Sequence, residues 1–213
     1  MMKRMTLLAK RDGLATSDFR AYWAGPHAQL ALGMDGIVKY THNRVEKVLW
    51  ASNGDPAFSV DGVVELSFSD SEVMRQAQAS AVGTKFIPAD EPQFLKGWTL
   101  CVVEEQGDEP QEQHAKVLIP FHAQPEARNQ MWVELQGLEK TFGIRSVLNW
   151  TVTTARRERL WAEPVPPSGF VAVWFADVAT AHEAFEPESR LRPILEKYTT
   201  NAVAYLIDRL CIR

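Results

Sequence analysis

Sliding the 213-residue chain along itself by 107 positions lays Gly36-Ile37 on Gly143-Ile144, Val45 on Val152, Gly62 on Gly169, Val64 on Val171, and Phe68 with Asp70 on Phe175 with Asp177. Seven identities in 35 ungapped residues mark an internal repeat, which constrains the fold more than any local propensity because both copies must solve one packing problem. Continued, the offset places Trp98 on Tyr205 and Leu100 on Ile207. Bulky apolar positions are therefore expected to keep their spacing to the end of each half. Ahead of Gly36 and Gly143 the register slips, as it does where loop lengths differ.

Each copy reads as strand, helix, strand, strand, helix, strand. In the first, Arg4 to Lys10 is an apolar run, and Thr16-Ser17-Asp18 offers N-caps for a helix that carries Phe19, Trp23, Leu30 and Met34 at helical spacing and stops at Asp35-Gly36. A strand from Gly36 to Trp50, turn chemistry at Asn53-Gly54-Asp55-Pro56 and a strand from Gly62 to Phe68 follow. Ser69-Asp70 caps a helix to about Val82, Gly83 to Lys96 is a loop or irregular helix, and Trp98 to Glu104 closes the unit. The second copy gives a strand at Lys116–Phe121, a helix from Pro125-Glu126 to Phe142 and strands at Ile144–Thr154 and Phe170–Phe175. A helix capped by Asp177, an irregular stretch at Pro187–Tyr198 and a strand at Ala202–Cys211 complete it. A polar linker, Glu104 to Gln113, separates domains 1–106 and 113–213.

A βαββαβ unit is ferredoxin-like, with two helices on one face of a four-stranded antiparallel sheet and the other face open. The expected fold is α+β: two ferredoxin-like repeats bury their open faces against each other as an intramolecular, pseudo-dimeric α+β barrel. Two independent domains are the alternative. The architecture implies a monomer closed on itself, or a higher homo-oligomer.

Composition narrows the function. A net charge of −4 and one short basic run, Arg156, Arg157 and Arg159, leave no footprint for nucleic acid. No apolar stretch approaches the roughly 20 residues that span a bilayer, and MMKRMTLLAKRD returns to charge too soon for a signal peptide, so a cytoplasmic location is expected. Cys101 and Cys211 sit in apolar runs and are expected as buried thiols. His42, His114, His122 and His182 lack metal-ligand spacing. No nucleotide loop or G-x-S-x-G elbow occurs, so no cofactor and no metal are expected.

The run Asp18-Phe19-Arg20-x-Tyr22-Trp23-x-x-x-His27-Ala28-x-Leu30-Ala31, ending at Met34-x-Gly36-Ile37-x-x-Tyr40-x-x-Asn43, with Asp61 to Leu66 after it, resembles the EthD family of dimeric α+β barrel proteins. In the second copy the position of His27 falls near Glu134 or Leu135, and Trp132 is the helix's remaining aromatic. The site-like residues are therefore expected in the first half alone.

His27 is the candidate proton carrier, since imidazole titrates near neutrality; a local structural hydrogen bond is its alternative role. Tyr22 and Glu65 are the other catalytic candidates, although Glu65 also reads as a barrel-face partner of Lys39 or Arg44. Phe19 and Trp23 would wall a substrate pocket, or belong to the core. Tyr40 and Asn43 would add hydrogen bonds, but their opposite strand parities keep both from facing one pocket without a bulge. The resemblance implies a cofactor-independent enzyme acting on a small apolar or aromatic oxygenated metabolite in a degradation or secondary-metabolite pathway. It would be oxidoreductase-associated, or use isomerase, dehydratase or cyclase-type acid–base chemistry. The alternative is a non-catalytic binding protein of an oxygenase pathway, whose mark would be a pocket without ionisable groups. Haem held through His27 is the remotest reading.

Overall fold

A computed structural model describes residues 1–54, 58–110, 115–157, 160 and 165–213. Eight antiparallel strands close into one barrel: β1 (Met2–Lys10), β2 (Ile37–Ala51), β3 (Gly62–Phe68), β4 (Leu95–Gln106), β5 (Ala115–His122), β6 (Arg145–Arg156), β7 (Gly169–Phe175) and β8 (Asn201–Cys211). Their order around the wall is β1-β3-β2-β8-β5-β7-β6-β4. Pairs β2·β8 and β4·β6 join the first four strands to the last four, and closure leaves no strand edge unpaired.

Helical segments lie outside the wall. Between β1 and β2 run α1 (Thr16–Tyr22), a π turn (Trp23–His27) and α2 (Ala28–Leu32), and between β3 and β4 run α3 (Ser71–Ala79), a π turn (Val82–Phe86), α4 (Ile87–Asp90) and a 3₁₀ turn (Glu91–Gln93). The other half carries α5 (Ala127–Phe142), α6 (Val178–Glu183) and α7 (Leu191–Tyr198).

Period-two alternation divides the apolar residues into three layers. Met5, Leu7, Val63, Cys101, Leu118 and Tyr205 fill the barrel interior. Leu8, Val64, Leu66, Tyr40 and Leu100 face the helices of the first half, and Val117, Ile119, Phe121, Val171 and Leu206 face those of the second. Asp70 and Asp177, one offset apart, each cap a helix by accepting from a backbone N–H three residues on, Val73 at 2.9 Å and Thr180 at 2.7 Å.

The 107-residue register fails in the last strand. Trp98 and Leu100 face the helices, whereas Tyr205 and Ile207 point into the barrel. A one-residue slip turns every side chain to the opposite face. Local differences are smaller. The candidate caps at Thr16–Asp18 go unused, since the N-cap is Ala15 with no side-chain hydrogen bond. Pro187–Tyr198 contains the regular helix α7. Cys101 is buried, but Cys211 is exposed at the end of β8. Asp55-Pro56 of the candidate turn and the end of the expected linker lie outside the described residues. No helix among the described residues is long and apolar enough to cross a membrane.

Candidate functional site

Gly25-Pro26 shapes the first helical segment. Pro26 has no N–H to close an α-helical bond, and Trp23–His27 widen into a π turn. Trp23 and His27, four residues apart, are both buried against the barrel. The Trp23 ring can approach the wall closely because β3 begins with glycine: a Cβ on Gly62 would sit 2.5 Å from that ring. The indole also stacks on His42 at 3.9 Å, whose pKa burial lowers to about 3.

Between this segment and the wall lies a cavity of about 470 Å³. Leu8, Val64, Leu66, Leu100 and Trp98 form its apolar side; Arg4, His27, Tyr40, Glu91 and Arg157 are its ionisable groups. This composition, an apolar enclosure with a few convergent polar groups, is that of small-molecule sites.

His27 is held in place. Its Nδ1 lies 2.8 Å from Asp90 Oδ2, Tyr22 donates its hydroxyl to Asp90 Oδ1 at 2.6 Å, and the Phe94 ring packs against the imidazole at 4.7 Å. The hydrogen bond from His27, joined by that from Tyr22, holds the Asp90 carboxyl below its ordinary range despite partial burial. A carboxylate only accepts, so Nδ1 carries the proton and Nε2 is left as the basic nitrogen. The bond to Asp90, aided by burial, pushes the Tyr22 phenol up to about 12.

Glu91 follows Asp90 in the chain and turns into the cavity. It is 2% exposed, and burial pushes its carboxyl up to about 7 against the pull of Arg157 and Arg4, with Asp90 adding to the rise. Glu91 Oε2 and Arg157 Nε form a close ion pair without an aligned hydrogen bond. The Arg157 guanidinium lies 4.4 Å over the Trp98 ring. Burial and the neighbouring Arg157 charge lower Arg4 to about 10.

The sequence-predicted residues therefore separate. His27, Trp23 and Tyr40 line the cavity, and Tyr22 is linked to His27 through Asp90. Phe19 is core, its ring 5.5 Å from Trp23. Glu65 and Asn43 point the other way, into the barrel. There Lys116 Nζ donates to Glu65 Oε1 at 2.7 Å and to Asn43 Oδ1 at 2.9 Å, and Lys3 Nζ lies 3.0 Å from Glu65 Oε2. The expected partners Lys39 and Arg44 are instead engaged by Glu109 and Asp208. Burial would raise the Glu65 carboxyl, but the two lysines hold it well below its ordinary range.

Sequence reasoning missed Arg4, Asp90, Glu91 and Arg157. The available signals were an arginine in an apolar strand, an acidic pair between Pro88 and Pro92, and the basic run 156–159. Nor is the cavity confined to the first half, since Thr153, Thr154, Ala155 and Arg157 line it from the end of β6. No cluster of potential metal ligands occurs among the described residues.

The EthD domain family matches residues 11–97, a span that includes Tyr22, His27, Asp90 and Glu91. This stretch is similar to an EthD domain. No curated protein matches the chain. Among solved structures, an anthrone oxidase-like protein aligns with a TM-score of 0.65 at 9% identity, over 99% of this chain and 93% of that one. A monooxygenase-like protein from Lactobacillus acidophilus NCFM aligns at 0.55 and 10% identity, over 99% and 94%. One from Fusobacterium nucleatum subsp. nucleatum aligns at 0.56 and 9%, over 97% and 91%. At such identities the likeness is one of fold, and it extends over both halves of the barrel, beyond residues 11–97.

Proposed function

We propose that this chain is a cofactor-independent enzyme associated with an oxygenase pathway, moving a proton on a small apolar or aromatic oxygenated metabolite bound in the cavity of the EthD half. The observation that carries this is the His27–Asp90 pair. With Nδ1–H held by a carboxylate, Nε2 is the acceptor for a proton from a C–H or O–H beside a substrate carbonyl, and Asp90 stabilises the imidazolium that forms. Return of that proton to another substrate atom completes an isomerisation; its delivery to a departing hydroxyl completes a dehydration. The Tyr22 phenol holds Asp90 from its far side. The resemblance to oxidase-like and monooxygenase-like folds supports the pathway setting.

The non-catalytic alternative predicts a pocket without ionisable groups, and the five titratable residues Arg4, His27, Tyr40, Glu91 and Arg157 that line this one favour the enzyme. We read the two βαββαβ halves, 1–106 and 113–213, as diverged copies fused into one chain. The protein is then a monomer whose seams β2·β8 and β4·β6 take the place of a dimer interface.

The test is His27→Gln beside Asp90→Asn, with turnover screened on cyclic ketones and hydroxylated aromatic acids. Loss of turnover in His27→Gln with binding retained supports the proposal. Unchanged turnover in a folded His27→Gln variant refutes it.

A further inference from the structure

Among the described residues, the ionisable wall of the cavity is not balanced. Asp90 is engaged by His27 and Tyr22, so among the described residues that line the cavity Glu91 is the one carboxylate beside two guanidiniums, Arg4 and Arg157. Arg4 Nε is buried without a hydrogen-bond partner, and its guanidinium has the Phe68 ring at 5.9 Å. Arg157 touches Glu91 as an ion pair without hydrogen-bond alignment, its Nε buried without a hydrogen-bond partner, and the guanidinium is a planar, multi-donor fork suited to an oxyanion. Trp98 packs against the guanidinium at 4.4 Å and lines the apolar chamber beside it. Buried charge demands a counter-charge, and the chamber walled by Trp23, Leu66 and Leu100 demands an apolar body.

We infer that the cavity takes a monoanionic ligand with an apolar ring system, its oxyanion seated between Arg4 and Arg157 in competition with Glu91. The inference rests on the proposed role of the cavity as the ligand site and names the ligand class. Arg157 comes from the second half of the chain, so the end of β6 supplies specificity to a site whose proton carrier comes from the first. Glu91 acts as an internal competitor: while it is ionised and paired with Arg157, it opposes the incoming anion.

Calorimetric titration of the intact protein at pH 8 with 2-naphthoate and with its neutral isostere 2-naphthamide tests this. Naphthoate is expected to bind at least tenfold more tightly than the amide. Arg157→Gln should bring the two within about twofold by weakening the acid alone. Glu91→Gln should tighten naphthoate several-fold and leave the amide unchanged. Equal binding of acid and amide to the wild-type protein overturns the anion assignment while leaving the cavity as the ligand site. A preference that survives Arg157→Gln also overturns it. Binding of neither probe removes both this inference and the cavity reading beneath it.

Discussion

The two helix–wall layers share a strand register and differ in what they hold. β1 sets Arg4, Thr6 and Leu8 opposite Leu66, Val64 and Gly62. β5 sets Val117, Ile119 and Phe121 opposite Val173, Val171 and Gly169, each one offset later. The same wall positions therefore carry a cation, a hydroxyl and an aliphatic in the first half, and two branched aliphatics and a phenyl in the second. Glycine opens both walls, but the space is taken differently. Phe121 from the adjacent strand lies against Gly169 (a Cβ would meet its ring at 2.8 Å), while at Gly62 the occupant is Trp23 from the helix. Beside Trp23 remain His27 and the cavity. In the second layer, Met131 and Leu135 are fully buried on α5, and Trp50 crosses from the first half to close the end. At the matching end of β6 stands Arg157, which lines the cavity. One layer has kept apolar packing; the other combines packing with charge.

The largest expected effect lies in the barrel interior, where Glu65 has Ala172 as its counterpart one offset on. Glu65→Gln removes the carboxylate that Lys116 pairs with at 2.7 Å in the barrel interior, while Lys3 keeps Glu105 and Glu109. It should cost about 3 to 5 kcal/mol in denaturant unfolding, as removal of one member of a buried ion pair does. A loss below 1 kcal/mol would make that cluster incidental.

The next is electrostatic and belongs to the hollow layer. Glu91, facing Arg157, Arg4 and Asp90 and one residue removed from His27, holds a proton in the folded state that the unfolded chain releases at lower pH. The unfolded state thus binds fewer protons, and stability falls as pH rises from the ordinary carboxylate range through about 7. The contribution is about 3 kcal/mol at 1.36 kcal/mol per pKa unit. Unfolding free energies at pH 5 and pH 8 should show this decline in the wild type, and Glu91→Gln should flatten it.

Matched overpacking compares the layers directly. Ala181→Leu in the closed layer should cost about 1 to 3 kcal/mol, whereas Ala31→Leu, which projects into the cavity, should cost less than about 1 kcal/mol while lowering affinity for any cavity ligand. Equal costs would erase the distinction. The smallest effect is expected from Tyr22→Phe, which removes one hydrogen bond to Asp90 and should cost about 0.5 to 1.5 kcal/mol in thermal unfolding.

Much of the architecture was legible because it rests on periodicity. The offset from Gly62 through Asp70 carried strand faces and helix caps correctly, since apolar alternation and an Asp N-cap are local rules. It failed at Trp98 and Tyr205 because a single-residue shift between halves changes which face a side chain occupies, and sequence spacing alone does not register it. In the site, His27, Trp23 and Tyr40 were legible from one helix and one strand. Asp90 and Arg157 were not, because they reach His27 and Glu91 across 63 residues and 66 residues of chain, respectively, through the fold's closure. Glu65 shows the converse: an acid in an apolar strand was a sound signal of a buried charge, and its partners proved to be lysines inside the barrel.

The most direct measurement is a crystal structure of the protein soaked with 2-naphthoate. The account predicts density for one naphthalene ring in the first layer, between Trp23 and Trp98, with the carboxylate on Arg157 and none in the second layer. Ligand density among Phe121, Leu135 and Trp50 with the first cavity empty would contradict it.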